Sequence, residues 1–368
     1  MRIAQITSSV GWSGGAQQAF FLSKGLLDKG YEIKLICPPS SEIGQRAADA
    51  GIPVISLLMR QEYDIVAIIK LVKILRKNKI DILHAHHPKA HALALAASKI
   101  AKTPVFIYSR RVIFHVRKGI FSQIKYKSKR TDKIVAVSKG VKKILVDYGI
   151  APSRIEVIYS GTDVAVFTPE VKGDSIRKEF AIHDDELLVA LVGNYSYYKG
   201  HTFFLEAIPS ILQKAKGVKF ILVGRDTDSD ELKGLVDNLD IANSTILAGF
   251  RRDVPLILAA ADITVNASLQ EGFAGTIRES LAMGKAVVAT DVGGNPEMVY
   301  HKKNGLLVSA GNSQALSDAI VMLLNNSDLR KEMGKNGRKL VEEEFSVKHM
   351  VDKTESLYKE LLFAKKVG

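Results

Sequence analysis

The sequence predicts an α/β protein built from two doubly wound parallel sheets that follow one another along the chain. Two observations lead to this prediction. The chain has 368 residues, which is too long for one ordinary core. Short β-branched runs also alternate with amphipathic, helix-like segments, a rhythm typical of parallel sheets with helices on both faces. Because this rhythm stops and restarts near the middle of the chain, we predict two domains.

The first domain is predicted over residues 1–165. An early strand leads into a helix over 16–29, and further strands follow at regular intervals. The runs predicted as its strands are "RIAQITS", "EIKLICP", "DILHAHH", "TPVFIYS" and "KIVAVS". Residues 161–169 contain Gly, Asp and Pro, which interrupt regular structure, so we predict a linker there.

The second domain is predicted over residues 166–346, where the same alternation begins again. The runs predicted as its strands are "LLVALVG", "KFILVG", "STILAGF", "ITVNAS", "AVVATD" and "GLLVS". Each is separated from the next by a helix-like segment. A second doubly wound sheet therefore follows the first.

Composition and local patterns indicate the cellular compartment of the protein. The longest apolar runs are strand-sized, far below the ~20 residues that cross a bilayer. The N-terminus enters a strand directly, so we expect no signal peptide. The single cysteine, Cys37, allows no internal disulfide. These features predict a cytoplasmic protein.

Charge is distributed unevenly along the chain. Residues 1–165 carry 27 Lys and Arg against 11 Asp and Glu, whereas residues 166–368 carry 25 against 28. The excess is densest over 110–143, where 12 basic residues accompany one acid, Asp132. Such a field indicates an anionic partner: lipid headgroups, nucleic acid or a phosphorylated sugar. A merely solvated basic face is the alternative.

Ligands of doubly wound sheets bind beyond the carboxyl ends of the strands, so the loops there are candidate sites. The first loop places Gly14 and Gly15 at a helix start, where free N–H groups can receive phosphate or a sugar hydroxyl. Another loop sets Lys199 before Gly200 and an apolar helix. That ammonium could reach an anion at the strand ends, or it could be an ordinary surface lysine.

The loop "EGFAGTIRE" combines glycines with two acids. We expect Gly272 and Gly275 to allow close backbone approach, and the N–H groups near Gly275, Thr276 and Ile277 to form an anion site. The following strand brings Gly293 and Gly294, in "TDVGGNPE", to the same edge.

The two acids of this loop would have different roles. Glu279, one turn into the helix, can accept hydrogen bonds from a ribose diol, and Glu271, on the loop, can hold other hydroxyls. The alternative for either acid alone is a favourable interaction with the helix dipole, worth about 0.3–1 kcal/mol.

The long run "EGFAGTIRESLAMGKAVVATDVGGNPEMV" resembles the signature of retaining, family-4-type glycosyltransferases with the GT-B fold, the glycosyl transferases group 1. Similar segments include the Gly-Gly loop, "DILHAH", "VIYSGTDVAVFTP", the "KG" pair and "FILVGRD", so the resemblance covers nearly the whole chain. It implies two Rossmann-like domains facing a central cleft. The first would bind the acceptor and the second the nucleotide sugar, with the terminal helix at about 347–368 returning to the first domain.

The resemblance also implies roles for single residues. Glu279 would bind the nucleotide ribose, Glu271 the hydroxyls of the donor sugar and Lys199 the diphosphate, while Phe250 and Arg251 would lie near the base. The catalytic residues expected are Glu271, Lys199 and Arg110. The donor-binding residues expected are Gly14, Gly15, Asn194, Lys199, Phe250, Arg251, Glu271, Gly272, Phe273, Ala274, Gly275, Thr276, Ile277 and Glu279.

Two positions depart from the family pattern. The family usually has Arg-x4-Lys where this chain has Asn194 and Lys199, so one phosphate cation is missing; Arg225, or a basic residue of the first domain, could compensate. Many relatives also carry a histidine where this chain has Ser109, Arg110 and Arg111. Arginine at this position could contact phosphate instead.

The histidines His84, His86, His87 and His91 suggest a metal site by their spacing. No cysteine or carboxylate cluster accompanies them, so we expect buried, hydrogen-bonded histidines instead of a zinc site. The family is generally metal-independent, which predicts no cofactor; the nucleoside-diphosphate sugar, most favourably a UDP-sugar, is a co-substrate.

The resemblance predicts retaining transfer. The basic excess of the first domain, which would hold the acceptor, predicts a lipid-linked, phosphorylated or polysaccharide/lipopolysaccharide acceptor in cell-envelope biosynthesis. Front-face transfer, with the leaving phosphate deprotonating the acceptor, is preferred over nucleophilic attack by Glu271. A sugar-nucleotide epimerase on the same fold is one alternative. A basic nucleic-acid-binding protein is the other, although no helix-turn-helix, zinc or RNP-like motif is present.

The basic stretch motivates a membrane prediction. In "RRVIFHVRKGIFSQIKYKSKR" apolar residues interleave with cations, so we expect peripheral docking on the anionic inner face of the cytoplasmic membrane. The residues expected to insert are Ile113, Phe114, Ile120, Phe121 and Tyr126. The cations expected to meet headgroups include Lys125, Lys127, Lys129 and Arg130.

Overall fold

The computed structural model describes residues 1–116 and 119–367. The chain separates into two compact units. Unit 1 contains Met1–Gly161 and the C-terminal helix, and unit 2 contains Thr162–Ser346. The division therefore falls at 161/162, where the sequence predicted 165/166. Arg338 of unit 2 donates to the carbonyl of Phe167 (2.7 Å), so most of the segment predicted as a linker is packed onto unit 2.

Unit 1 contains a seven-stranded parallel sheet with the order β3-β2-β1-β4-β5-β6-β7. The order reverses between β1 and β4, which is the point where doubly wound sheets bind ligands. Its strands are β1 (Arg2–Ile6), β2 (Glu32–Cys37), β3 (Val54–Ser56), β4 (Ile82–Ala85), β5 (Val105–Arg110), β6 (Lys133–Ala136) and β7 (Ile155–Val157).

Helices connect the strands of unit 1. They are α1 (Gly14–Asp28), α2 (Glu42–Asp49), α3 (Ile65–Lys77), α4 (Pro88–Ala101), α5 (Ile120–Lys127) and α6 (Lys139–Asp147), and the chain ends with α14 (Val347–Val367). The five predicted strands are present. The edge strands β3 and β7 were not predicted, because three residues are too few to show a periodic pattern.

Unit 2 contains a six-stranded parallel sheet with the order β10-β9-β8-β11-β12-β13. Its reversal lies between β8 and β11, which corresponds to the one in unit 1. Its strands are β8 (Leu187–Val192), β9 (Val218–Val223), β10 (Thr245–Leu247), β11 (Ile263–Asn266), β12 (Ala286–Thr290) and β13 (Gly305–Val308). All six predicted strands are present.

The helices of unit 2 complete the second doubly wound unit. They are α7 (Asp174–Glu179), α8 (His201–Lys214), α9 (Asp230–Asn238), α10 (Val254–Ala260), α11 (Gly275–Ala282), α12 (Ser313–Leu324) and α13 (Ser327–Glu344). Short 3-10 turns at Tyr197–Lys199 and Asn295–Glu297 follow β8 and β12. The predicted α/β class with two doubly wound sheets is confirmed.

Both sheets are buried on their two faces, as parallel sheets covered by helices must be. The strands β4, β5, β11 and β12 have every residue buried. In unit 1 the terminal helix α14 packs against α1, and Val351 lies so close to Gly25 that a Cβ there would be 2.6 Å from a Val351 methyl. No helix among the described residues is long and apolar enough to cross a membrane.

Candidate functional site

The turn after β8 holds Lys199 against the end of β11. Gly200 has φ +71°, and a Cβ there would lie 2.0 Å from the Ala267 carbonyl oxygen, so only glycine permits this approach. The Leu269 N–H donates to the Tyr198 carbonyl at 2.8 Å. These contacts fix the backbone from which the Lys199 side chain extends.

Lys199 and Glu271 form a direct ion pair. The distance from Lys199 Nζ to Glu271 Oε1 is 2.5 Å, and the Ser268 hydroxyl donates to the same oxygen at 2.9 Å. The Glu271 side chain is buried while the Lys199 side chain is partly exposed. The structure thus brings together two residues that the sequence placed in separate roles, and each satisfies the charge of the other.

A buried polar network, which the sequence patterns did not predict, lies beneath Glu271. Asn295 Nδ2 donates to Asn266 Oδ1 (3.1 Å) and to the Thr290 carbonyl (3.0 Å), and the Thr290 hydroxyl donates to the Ser268 carbonyl (2.5 Å). Buried polar groups need such partners. The available signal was the polar residue that ends each apolar strand, as in "ITVN" and "AVVAT".

Close backbone approach occurs at Gly293, not at Gly275. Gly293 has φ +54°, and a Cβ there would lie 1.8 Å from the Glu271 carbonyl oxygen, which also accepts from the Gly294 N–H at 3.2 Å. A Cβ at Gly275 would meet only side-chain atoms of Arg278 and Glu279 at 3.7 Å, an ordinary contact. The structure therefore explains the glycines of "TDVGGNPE" as supports of the Glu271 loop.

Helix α11 begins at Gly275 without a capping side chain. The N–H groups of the first turn of any helix lack partners within the helix, so those of Gly275, Thr276 and Ile277 are available to an anion. The side chains of Phe273, Ala274 and Ile277 are buried. At these three positions only the backbone could contact a ligand, and Gly272 likewise has only its backbone to offer.

Glu279 is a partly buried carboxylate one turn into this helix. Burial raises its pKa, and the charge of neighbouring Arg278 opposes that rise. Burial lowers the pKa of Arg278 to about 10, and its guanidinium donates to the Thr162 hydroxyl at 3.1 Å. Within residues 1–116 and 119–367 the Glu279 carboxylate has no hydrogen-bond partner, so its acceptors remain available.

The two residues predicted near the base differ in exposure. Phe250 is 54% exposed, whereas the Arg251 guanidinium pairs with Glu179 (2.8 Å) and Asp253 (2.7 Å). These pairs lower the pKa of both carboxyls and raise that of Arg251. The Arg251 guanidinium is therefore paired within unit 2, and its contact with the base stays a prediction. Asn194 is exposed and accepts from the Arg225 N–H at 3.0 Å.

In unit 1 the first strand-end loop approaches the side chains of His87 and Arg111. A Cβ at Gly15 would lie 3.0 Å from His87 Nε2 and 3.7 Å from Arg111 Cδ, while Gly14 is open. The Ser13 hydroxyl accepts from the Ala16 N–H (3.3 Å) and caps α1. Arg111 NH1 donates to the Ser160 hydroxyl at 3.0 Å. The predicted glycine loop is therefore adjacent to Arg111.

Arg110, which the resemblance makes a catalytic candidate, contacts other groups of unit 1, and its catalytic role stays a prediction. Arg110 is buried, and its guanidinium donates to the Tyr126 hydroxyl (2.5 Å) and to the Phe114 carbonyl. Neighbouring strand residues point to opposite faces, which explains why Arg110 turns inward. Arg111, one residue later, lies at the loop.

Three of the four histidines in "HAHHPKAH" are hydrogen-bonded, as expected. His84 contacts the Tyr358 hydroxyl (2.5 Å) and the Ser109 hydroxyl (2.8 Å), and His86 contacts Gln5 Oε1 (2.6 Å). His87 Nδ1 lies 2.7 Å from the Thr7 hydroxyl. Burial lowers the pKa of His84 to about 3 and that of His87 to about 4, with Arg111 adding to both shifts.

The fourth, His91, has no hydrogen bond at either ring nitrogen within the described residues. It is fully buried and stacked on Tyr108, with ring centroids 3.8 Å apart, and burial lowers its pKa well below the usual value. Among residues 1–116 and 119–367, no group of three or more His, Cys, Asp or Glu could hold a metal ion.

The basic stretch contains both exposed side chains and side chains that are buried or paired. Phe114, Ile120 and Phe121 are exposed, as the membrane prediction requires, but Tyr126 is 4% exposed and packs in the interior. Ile113 is half-buried, and Arg117 and Lys118 lie outside the described residues.

Two of the four cations expected to meet lipid headgroups form ion pairs within the protein. Lys125 pairs with Glu62 (2.9 Å) and Arg130 with Asp132 (3.0 Å), and the side chains are 12% and 17% exposed. Lys127 and Lys129 are exposed. Tyr126, Lys125 and Arg130 are therefore corrected to structural residues.

The sequence matches two family descriptions. Residues 12–216 match Glycosyltransferase Family 4, and residues 173–340 match Glycosyl transferases group 1. The chain is 26% identical over 351 residues to the UDP-Gal:alpha-D-GlcNAc-diphosphoundecaprenol alpha-1,3-galactosyltransferase of Escherichia coli, covering 91% of this chain and 90% of that protein. It is 25% identical to the N-acetyl-alpha-D-glucosaminyl L-malate synthase of Bacillus anthracis, covering 85% and 83%.

Solved structures share the architecture. A glycosyltransferase from Rickettsia africae matches with a TM-score of 0.88 and 24% identity, covering 98% of each chain. HepE from Anabaena, solved in complex with UDP, matches with a TM-score of 0.86 and 22% identity, covering 98% of this chain and 100% of that one. At these identities the likeness establishes the fold.

Proposed function

The chain belongs to glycosyltransferase family 4, and from that premise we propose that it moves a sugar from a nucleoside-diphosphate sugar to a lipid-linked or polysaccharide acceptor in cell-envelope biosynthesis, with retention at the anomeric carbon. It is a transferase with the predicted GT-B fold. Donor, acceptor and stereochemistry are parts of the proposal.

The observation that carries the donor site is the Lys199–Glu271 pair beside the uncapped start of α11. An ammonium and three free N–H groups at strand ends can stabilise the charge that develops on a leaving diphosphate without proton transfer. Glu279 supplies acceptors for a ribose diol, and Glu271 supplies them for sugar hydroxyls. Each role fits the chemistry of the group that the structure presents.

A UDP-sugar is the favoured donor. One relative is named for UDP-Gal, and HepE was solved with UDP and with UDP-glucose. Phe250 presents an exposed aromatic face on which a base could stack. The names of these proteins support uridine as the base.

Retention is proposed to occur by front-face transfer. In this scheme the acceptor hydroxyl attacks the anomeric carbon from the side of the leaving group, the bond to the diphosphate oxygen breaks, and the acceptor proton passes to that oxygen. Glu271 is engaged by Lys199 and Ser268, which favours a role in holding hydroxyls over one as a nucleophile.

A lipid-linked acceptor is supported by the charge of unit 1 and by the name of the Escherichia coli relative, which specifies a diphosphoundecaprenol. A lipid carrier is found at a membrane, so the enzyme would work at a bilayer surface. We therefore retain peripheral docking of unit 1 on anionic lipid as part of the proposal.

The docking surface is defined by exposed apolar residues on α5 and α3. On α5, Phe121 is 78% exposed and Ile124 is 59% exposed; on α3, Ile65 is 70% exposed and Ile69 is 52% exposed. The Glu62–Lys125 ion pair joins the loop before α3 to α5, so the two patches are neighbours. Exposed lysines accompany them, and each cation near such a surface contributes about 1 kcal/mol. The exposed lysines of this surface are Lys70, Lys73, Lys127 and Lys129.

Vesicle sedimentation tests the docking surface. The chain should bind phosphatidylglycerol vesicles but not phosphatidylcholine vesicles, and salt should weaken the binding. Replacing Phe121 and Ile124 together by serine should reduce binding several-fold. Phe363→Ser, at an equally exposed position on α14, is the matched control. Equal failure to bind both vesicle types would refute docking and leave the transferase proposal intact.

Product analysis tests the activity. The enzyme should release nucleoside diphosphate from a UDP-sugar only when a diphosphate-linked prenyl glycan is present, and NMR of the product should show the anomeric configuration of the donor. Isomerisation of the UDP-sugar without acceptor would indicate an epimerase. A product with the opposite anomeric configuration to the donor would contradict the retaining mechanism.

A further inference from the structure

Arg225 is an unusual cation at the carboxyl end of β9. It is exposed, and within residues 1–116 and 119–367 its guanidinium forms no hydrogen bond or ion pair, although Asp226 and Asp228 follow it closely. Its guanidinium carbon lies 5.3 Å from the ring centroid of Phe250. A stacked but otherwise unpaired guanidinium keeps its donors free for a ligand.

The backbone holds Arg225 beside the turn after β8. The Arg225 N–H donates to Asn194 Oδ1 (3.0 Å), and the Arg225 carbonyl accepts from the Tyr195 N–H (2.8 Å). A Cβ at Gly224 would lie 2.1 Å from the Gly193 carbonyl oxygen, so glycine is required for the two turns to approach. Arg225 is therefore rigidly placed, although its side chain is exposed.

Lys199 borders the same turn from its other side. A Cβ at Gly193 would lie 4.0 Å from Lys199 Cδ. The Lys199 charge is offset by Glu271, so that pair contributes little net positive charge to the site. A nucleoside diphosphate carries at least two negative charges, and Arg225, which borders this turn, has no ion pair among the described residues.

We propose that Arg225 is a donor-binding residue that contacts the diphosphate of the nucleotide, with Phe250 holding the plane of its guanidinium. The inference rests on the proposed function, because it names a further residue of the same nucleotide site. A planar guanidinium with several donors suits bidentate binding of phosphate oxygens better than an ammonium does. It assigns Arg225 to the role that the sequence left open between Arg225 and a basic residue of the first domain.

Titration calorimetry with UDP, UMP and uridine tests the assignment. In Arg225→Ala the Kd for UDP should rise about tenfold or more, as for loss of a charged hydrogen bond, while the affinity for uridine should stay as in the wild type. The Kd of Arg225→Lys for UDP should lie between the values for the wild type and for Arg225→Ala. Arg252→Ala, at an exposed arginine of the same unit, is the control and should bind all three ligands normally. Thermal melting of each variant checks that it is folded.

Two outcomes would overturn the assignment while leaving the proposed function standing. One is UDP binding by Arg225→Ala with wild-type affinity. The other is an equal loss of affinity for UDP and uridine, which would mean that Arg225 contacts the base. Failure of the wild-type enzyme to bind any nucleoside diphosphate would instead overturn the proposed function, and this assignment with it.

Discussion

The two units share a topology and differ in chemistry. In each sheet the third, second, first and fourth strands lie in that order. At the strand ends, unit 2 presents the Lys199–Glu271 pair and the Glu279 carboxylate, whereas unit 1 presents buried neutral histidines and Arg111. Residues 1–165 are strongly basic, and residues 166–368 are slightly acidic.

This difference teaches that the fold provides only the location of a site. Both reversals of strand order create an edge where ligands can bind, but the side chains at each edge determine which ligand fits. The acids of unit 2 suit the hydroxyls of a nucleotide sugar, and the cations of unit 1 suit an anionic acceptor or surface. Three substitutions test that division, and we give the one with the strongest expected effect first.

Glu271→Gln should have the largest effect. The change removes both the ion pair with Lys199 and a strong acceptor for sugar hydroxyls, so kcat should fall about 100- to 1000-fold. The Kd for UDP, which lacks the sugar, should change little. Steady-state kinetics and calorimetry on this variant and on Glu332→Gln, an exposed control, measure both quantities. A loss of UDP affinity as large as the loss of kcat would contradict the role of Glu271 at the sugar.

Lys199→Ala should impair binding and turnover together. The ammonium is expected to contact the diphosphate in the ground state and in the transition state, so both the Kd for UDP and kcat should worsen by about tenfold or more. Exposed Lys233→Ala is a suitable control. Near wild-type activity in the Lys199 variant would place the diphosphate elsewhere.

Glu279→Ala should weaken nucleotide binding with a smaller effect on kcat. Removal of an acceptor for the ribose diol should raise the Kd for UDP about tenfold. Calorimetry with UDP and other nucleoside diphosphates provides the measurement. Unchanged affinity for all of them would refute the ribose assignment.

The last prediction concerns stability in acid, which is a different quantity from affinity and kcat. Burial depresses the pKa of four unit 1 histidines, whereas unit 2 has one such residue, His201, with a pKa of about 4. A histidine with a depressed pKa stabilises the fold fully above the unfolded value near 6.5, and this stability is lost as the pH falls toward the folded value. Each contributes a slope of about 1.4 kcal/mol per pH unit in that window.

Between pH 7 and pH 5, therefore, unit 1 should lose more stability than unit 2. Hydrogen exchange of peptides from β4 and from β8, corrected for intrinsic rates, measures the two units separately. His91→Phe should reduce the acid sensitivity of unit 1, because His91 has no hydrogen bond to lose, while exposed His183→Gln should change nothing. Equal destabilisation of both units would contradict the burial argument.

Local patterns were enough to predict the fold class, the longer strands and the loops that carry Lys199, Glu271 and Glu279. These features depend on periodicity and on glycines next to strands, which are visible within a few residues. The ion pair between Lys199 and Glu271 was not predicted, because its partners are 72 positions apart and meet only through the packing of two strand-end loops.

The other contacts that the sequence did not predict have the same origin. Arg251 was placed near the base because of its loop, but Glu179, 72 positions earlier, pairs with it. Arg110 and Arg111 are adjacent, and only the orientation of β5 shows which one is buried. The sequence predicted that Tyr126 and Lys125 belong to an exposed surface. In the structure they contact Arg110 and Glu62, which lie in other parts of unit 1. Side-chain contacts between residues that are far apart in the sequence cannot be predicted from composition.

The central claim is that unit 2 binds the nucleotide through the strand-end loops around Lys199 and the start of α11. Hydrogen exchange with and without UDP tests it most directly, because bound phosphate should protect the N–H groups of residues 275–277 and the turns at 193–200 and 224–225. The account predicts that the strongest protection falls in these three segments of unit 2. Saturating UDP that leaves them unprotected, or protection confined to unit 1, would contradict it.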